Sequence, residues 1–299
     1  MTKRIGVVAG LTVDHLVSVD HGSKFNELGG PALYAALGAR LVDGVVPVLA
    51  AALPDDDHRF RNTFAHLGID TTHCSAIAQL LKVWILNSPE GRRIVTTAPV
   101  GDTELESGAA EEEGSDPELA PEFLQGLDGL LRSSPLGELT DADAATVVGV
   151  DPHQVPMKRE GSAYLRRVLP GGAALLPSRV HLRPLGDDPR AAAARLSEEF
   201  SSPVFARLDV EGIYVVDRGR AWHIVDDAVR VEETTGAGDA SAASIVAALA
   251  AGADPPTAAM FGASVARIAL SAWGCTGLLN AVPITQPFNH IHATQEVAP

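Results

Sequence analysis

The stretch whose residue types and spacing could do chemistry is Glu232-Glu233-Thr234-Thr235-Gly236-Ala237-Gly238-Asp239. It follows Val229 and Val231, which read as a strand end, and precedes an apolar helix predicted over residues 240–251. Gly236 and Gly238 let backbone N–H groups turn inward where that helix begins. The first N–H groups of a helix lack partners, and its dipole favours an anion there. Asp239, in the first turn, would repel a phosphate held in such a cup. A carboxylate in that place makes sense if it takes a proton from the group attacking the phosphate. The alternative is a plain βα turn whose aspartate favours the dipole, and on these residues alone the two readings stand level. Their magnitudes differ. Helix-end electrostatics are worth about 0.3–1 kcal/mol, whereas a positioned general base contributes about 10²–10⁴ in rate.

The elements that must hold this stretch come from a chain of 299 residues, 46% hydrophobic, enough for the core of one large α/β domain or a domain with a small appendage. A formal net charge of −15 argues against nucleic-acid binding, which needs a basic face. Only four lysines occur (Lys3, Lys24, Lys82, Lys158), so any phosphate must rely on arginine or backbone donors. Cys74 and Cys275 form neither a zinc pattern nor a disulfide framework. No signal peptide or uninterrupted apolar run of membrane-spanning length is visible, so a soluble, cytoplasmic protein without membrane partners is predicted.

In chain order, residues 4–10 read as a buried strand ending in glycine, and residues 11–19 alternate as a half-exposed strand would. Asp14 lies where open α/β sheets bind ligands, or is simply a turn aspartate. Gly29-Gly30-Pro31 opens an alanine-rich helix with proline in its first turn. Residues 45–53 form another buried strand, ending in an acidic triplet, Asp55-Asp56-Asp57, read as a helix start. Residues 83–87 and 93–97 flank a hairpin turn and, with residues 12–19, could form a separate sheet that excludes water from a strand-end site. Residues 101–118 are acidic and read as a mobile surface loop. Asp217-Arg218-Gly219-Arg220 joins two late strands, helices follow over 240–251 and 257–272, and the tail from Gln286 reads as loosely held. His290 and His292 are given no metal role.

Taken together, the motifs resemble the PfkB (ribokinase-like) family of small-molecule kinases along most of the chain. Gly29-Gly30 and the following helix look like its N-terminal signature, and Thr235-Gly236-Ala237-Gly238-Asp239 looks like its C-terminal one. The hairpin over 83–97 matches the lid, and Asp14 matches the acidic residue after the first strand. The resemblance implies an α/β fold: a doubly wound, mostly parallel sheet with helices on both faces, one domain over 1–299, and a small β lid from about 12–28 and 80–98. It implies transfer of the ATP γ-phosphate to a hydroxyl of a sugar, cyclitol, inositol or nucleoside. Asp239 would be the base, and Gly236, Ala237 and Gly238 would supply N–H groups. Asp14, Gly29 and Gly30 would hold substrate hydroxyls; a carboxylate bridging vicinal hydroxyls selects polyols. Thr235, Leu208, Asp209, Gly212, Ala263 and Ser264 would line the ATP site. Mg²⁺ would accompany ATP; a monovalent-cation requirement and a homodimer through the lid are left open by the sequence.

The chain also departs from that pattern. Pro31 stands where sugar kinases often carry asparagine, and Glu233 replaces the usual aspartate. The N-x-x-E that organises magnesium-bound water would fall on Ser178-Arg179-Val180-His181, and Asp209 stands where a glycine often begins the nucleotide turn. Gly22-Ser23-Lys24 lacks Walker A spacing. Pro31, Tyr34, Ser134-Pro135-Leu136-Gly137-Glu138 and Asp151-Pro152-His153-Gln154 look more like the inositol-kinase-like branch. A non-catalytic sugar- or nucleotide-binding relative is the competing reading.

Overall fold

A computed structural model describes residues 2–88, 91–97, 119, 121–133 and 147–299. Its strands begin with β1 (Lys3–Val8), β2 (Thr12–Ser18), β3 (Gly22–Gly29), β4 (Val45–Ala50), β5 (Ala52–Pro54) and β6 (Ser75–Ile77). They continue through β7 (Leu81–Ser88), β8 (Gly91–Thr97), β9 (Gly129–Arg132), β10 (Val147–Val150) and β11 (Ala174–Leu175). The last are β12 (Val204–Arg207), β13 (Ile213–Asp217), β14 (Arg220–Asp226) and β15 (Ile291–Val297). Helices are α1 (Pro31–Arg40), α2 (His58–His66), α3 (Gln154–Glu160), α4 (Ser162–Val168) and α5 (Arg179–Leu182). After them come α6 (Pro189–Phe200), α7 (Ala237–Ala250), α8 (Pro255–Leu270) and α9 (Thr276–Asn280).

The main sheet runs β15-β14-β13-β12-β11-β10-β9-β1-β4. From β12 to β4 the strands are parallel, and β13 to β15 are added antiparallel. Both faces are covered, as an apolar parallel sheet requires. Phe205 of β12 packs with α1, α7 and α8 on one side, while Val204 and Ala206 pack with α3, α4 and α6 on the other. Small residues set the spacing of α1 and α7. A Cβ on Gly38 would stand 2.3 Å from the Ala240 carbonyl oxygen. Asp57 caps α2 by accepting the Arg59 N–H at 3.0 Å, and Asp254 caps α8 through the Thr257 N–H at 3.1 Å.

A second sheet of four strands, β3-β2-β7-β8, stands apart from the first. It contains the predicted hairpin and the strand over residues 12–19. That strand is more enclosed than its alternation suggests: Asp14 and Leu16 lie on the face with Val83 and Ile85, while His15 on the opposite face packs against Trp84 and Phe25.

Three expectations need correction. Val229 and Val231 do not end a strand; β14 stops at Asp226, and both valines are exposed. The tail is not loose, because β15 pairs with β14 along its whole length. Its exposed edge position removed the apolar pattern that would have marked a strand. Asp14 is not a turn residue but the third residue of β2. Residues 101–118 and 134–138, read as a loop and a branch motif, lie outside the described residues.

Candidate active site

The carboxyl ends of the parallel strands deliver polar groups to one end of an apolar sheet, the usual ligand edge of open α/β sheets. Ser133 follows β9, Asp151 follows β10 and Arg207 ends β12. The N-terminus of α7 sits against them. Gly236 takes a left-handed φ of 74°, and a Cβ there would lie 2.0 Å from the Tyr34 ring. Only glycine fits, so Tyr34 ties α1 to the start of α7. Ala237 and Asp239 remain partly accessible and Gly238 is exposed. The predicted anion cup therefore faces outward.

Asp239 occupies the first turn of α7. Ser133 Oγ donates to its Oδ1 at 3.4 Å. Loss of solvent pushes its carboxyl above the ordinary value, while the Arg207 and Arg92 charges act in the opposite direction. A carboxyl raised in this way is a better proton acceptor than an exposed one.

Asp14 is only 2% exposed and accepts the Thr12 hydroxyl at 2.6 Å. Burial pushes it up to about 6; the Thr12 hydrogen bond and Arg92 oppose the rise, and Glu233 and Asp239 add to it. Its carboxylate lies over the bare Cα of Gly29, where a Cβ would come within 2.0 Å. Gly30 has φ 93°, and a Cβ there would meet the Thr12 nitrogen at 2.6 Å. The di-glycine thus gives Asp14 its room and starts α1. Asp14 lies against Gly29 and close enough to Asp239, which follows Gly236, Ala237 and Gly238 at the start of α7, to feel its charge, and Arg92 of β8 in the second sheet acts on both carboxyls.

Glu233 is buried beneath the turn. Its Oε1 accepts the Thr235 N–H at 2.7 Å and the Thr235 hydroxyl at 2.5 Å, and its Oε2 accepts the Gly274 N–H at 3.3 Å. Thr235 therefore spends its hydroxyl on the turn. Asn87, near the end of β7, donates to Glu233 Oε1 at 3.4 Å and links the second sheet to the loop before α7.

Leu208, Asp209 and Gly212 form a tight turn in which Leu208 N–H donates to the Gly212 carbonyl at 2.7 Å. Asp209 adopts a left-handed φ of 54°, which aspartate tolerates better than most residues. At Gly212 a Cβ would meet the Ile224 carbonyl oxygen at 2.1 Å, so glycine is required. Two departures in the sequence turn out to be partners: Arg179 donates to Asp209 at 3.1 Å, to Glu211 at 2.5 Å and to the Leu208 carbonyl at 2.9 Å. Ala263 and Ser264 lie on α8, which packs on α7, β13 and β14. Ser264 is fully buried; it donates to the Met260 carbonyl and accepts the Phe288 N–H, so its hydroxyl holds a loop.

The residues present do not form a protein cage for magnesium. At the N-x-x-E position, Ser178 N–H donates to His181 Nδ1 at 3.1 Å, and burial drives His181 down to about 3, keeping it neutral. Among the described residues no group of three or more His, Cys, Asp or Glu side chains could hold a metal ion.

Arg207, Ser133 and Arg92 were given no role from the sequence, and Asp151 entered only as part of the Asp151-Pro152-His153-Gln154 stretch. Arg207 gave a signal, since a charge closing an apolar strand is buried only if paired. Arg92 gave none, because its place depends on how the second sheet folds over the first.

Comparison with known proteins agrees with this architecture. Aminoimidazole riboside kinase from Salmonella enterica, solved with aminoimidazole riboside and an ATP analog, superposes with a TM-score of 0.69 at 20% identity, over 94% of this chain and 97% of that one. The Methanocaldococcus jannaschii nucleoside kinase gives 0.67 at 17% identity, over 95% and 96%. A ribokinase from Cryptococcus neoformans, solved with ADP, gives 0.66 at 16%, over 95% and 98%. At these identities the likeness establishes the fold, a ribokinase-like one. No curated protein sequence matches the chain. The family model described as pfkB family carbohydrate kinase matches residues 17–281, nearly the whole length, and the chain belongs to that family.

Proposed function

We propose that the protein is an ATP-dependent kinase that moves the γ-phosphate to a hydroxyl of a small polyhydroxylated substrate: a sugar, a cyclitol or a nucleoside. The observation that carries this reading is Asp239, with its raised carboxyl, in the first turn of α7 behind an outward-facing glycine cup. Asp14, enclosed by Gly29 and Thr12, would accept two substrate hydroxyls. Asp239 would accept the proton of the attacking hydroxyl, and the N–H groups of Gly236, Ala237 and Gly238 would hold the charge developing on the transferred group. The second sheet would act as a lid, bringing Arg92 over the cleft and excluding water. ATP would lie along the turn at Leu208, Asp209 and Gly212, beside Ala263. Magnesium would arrive on the nucleotide phosphates, where it offsets their charge. A cytoplasmic setting suits this chemistry, and no helix among the described residues is long and apolar enough to cross a membrane.

The outer face of the second sheet suits pairing with another copy of the chain. His15, Phe25 and Trp84 cluster there, with His15 and Trp84 rings 4.6 Å apart, and Phe25 is 52% exposed. The test of activity is ADP release across sugars, inositols, aminocyclitols and nucleosides. Turnover of at least one is expected. No turnover, together with tight binding of a sugar or nucleotide, would favour a non-catalytic binding protein, which the missing carboxylate at position 181 also suits.

A further inference from the structure

Arg207 closes β12 and is 9% exposed. Its Nη2 donates to Asp151 Oδ1 at 2.6 Å and to the Leu176 carbonyl at 2.7 Å. Its Nη1 donates to the Gly238 carbonyl at 2.5 Å, while Nε meets no acceptor among the described residues. One guanidinium therefore joins the ends of β10, β11 and β12 to the first turn of α7. Gly238 lets the guanidinium approach closely, since a Cβ there would stand 3.1 Å from Nη1 and press on it.

Stability alone does not explain such an arrangement. A buried ion pair is often no better than an apolar pair of the same size. A cation beneath a helix N-terminus also opposes the helix dipole, which favours cations at the other end. The arrangement makes sense if the first turn of α7 has to be held rigidly and kept electropositive. A carbonyl anchored from below fixes the peptide plane between Gly238 and Asp239, and that plane sets where the Asp239 side chain leaves the helix.

We propose that Arg207, seated on Asp151, is a positioning residue that fixes the turn at Gly238 and thereby aims the Asp239 carboxylate at the attacking hydroxyl and the cup N–H groups at the transferred phosphate. The proposal rests on the kinase reading above. β12 is apolar up to Arg207, which bridges to Ser178 in the 178–181 stretch that offers no carboxylate. The charged and polar groups facing Asp239 are Arg207 from β12, Arg92 from β8 and Ser133 after β9. Asp151 after β10 and Asp14 of β2 each feel the Asp239 charge, and both are held up to about 6. Glu233, in the loop before α7, lies with Asp14 in the same group. Arg207 is the cation whose removal most favours the neutral form of Asp239.

The test uses the full chain with two variants. Arg207→Lys keeps the charge but loses the fork. Arg207→Gln with Asp151→Asn removes both charges without leaving a buried carboxylate alone. Turnover, its pH profile and the ¹³C carboxyl titration of Asp239 in ligand-free protein are measured for each, with thermal midpoints as a check on folding. For Arg207→Lys a fall in kcat of about 10- to 100-fold is expected, with KM for ATP changed by less than about threefold. For the double variant the Asp239 titration and the acid limb of kcat should both move upward, by less than about one pH unit, because losing the Arg207 cation raises Asp239 while losing the repelling Asp151 carboxylate offsets part of that rise. Wild-type kcat in Arg207→Lys, or an unmoved Asp239 titration in the double variant, would overturn the positioning role. If the double variant does not fold, the split between kcat and KM in Arg207→Lys decides. If the wild-type chain turns over no substrate, the kinase reading has failed instead, and the ligand-free titration still decides whether Arg207 governs Asp239.

Discussion

Two carboxyls, Asp14 and Asp239, share one electrostatic problem: loss of solvent raises each above its ordinary value, and Asp14 also feels the charge of Asp239. For Asp14 this has a consequence for stability whose sign is fixed. Its folded value of about 6 stands above the ordinary 3.8, so folding favours the protonated form. That favourable contribution is complete below about pH 3.8 and is lost as pH rises through 6. Asp14→Asn should therefore be as stable as wild type near pH 3.5 and more stable at pH 7.5, by at most about 2–3 kcal/mol. Thermal midpoints across that range measure it, and a variant less stable at pH 7.5 would contradict the buried, uncompensated carboxylate. The same substitution should raise the KM for the hydroxyl substrate at least about tenfold, because a charge-assisted hydrogen bond is lost.

At the scale of elements, the proposed cup depends on α1 and α7 pressing together, with the Tyr34 ring against Gly236. Gly236→Ala would force a Cβ into the Tyr34 ring and a left-handed φ on alanine. A fall in kcat of about 10²- to 10³-fold, with a drop in thermal midpoint of several degrees, is expected. Wild-type kcat in that variant would mean the turn does not contribute donors. The elements that position the site were mostly legible in the sequence for a physical reason. Strands buried on both faces read as apolar runs, and Pro31, Asp57, Gly252 and Pro255 punctuate helices by backbone chemistry that acts locally. Gly29, Gly236 and Asp239 stood out in the sequence as candidates through residue type at a strand or helix end, whereas Asp14, taken for a residue beyond a strand end, lies within β2. What stayed hidden is what depends on long-range closure. Arg207 meets Gly238 across 31 positions and Asp151 across 56. The pairing of Arg179 with Asp209 and Glu211 could not be read from either stretch alone, and the edge strand β15 had too few buried residues to show a period.

At the scale of the whole molecule, the proposed phosphate cup stands at the end of the main sheet and the proposed lid is the second sheet, with Asn87 of β7 bonded to Glu233 in the loop before α7. The proposed pairing of two copies through the outer face of the second sheet predicts that Phe25→Glu converts a homodimer to monomer in light-scattering chromatography, since an exposed aromatic patch loses its apolar partner surface. A wild-type chain that is monomeric at high micromolar concentration would remove that reading without touching the catalytic one. The catalytic reading turns on residue 239. Asp239→Asn keeps the size of the side chain and the glycine cup but removes the proton acceptor. The most direct measurement is turnover of the best substrate by this variant alongside calorimetric binding of an ATP analog. A fall in kcat of at least about 100-fold with analog affinity within about threefold of wild type is expected. Wild-type kcat in Asp239→Asn would contradict the assignment of Asp239 as the base.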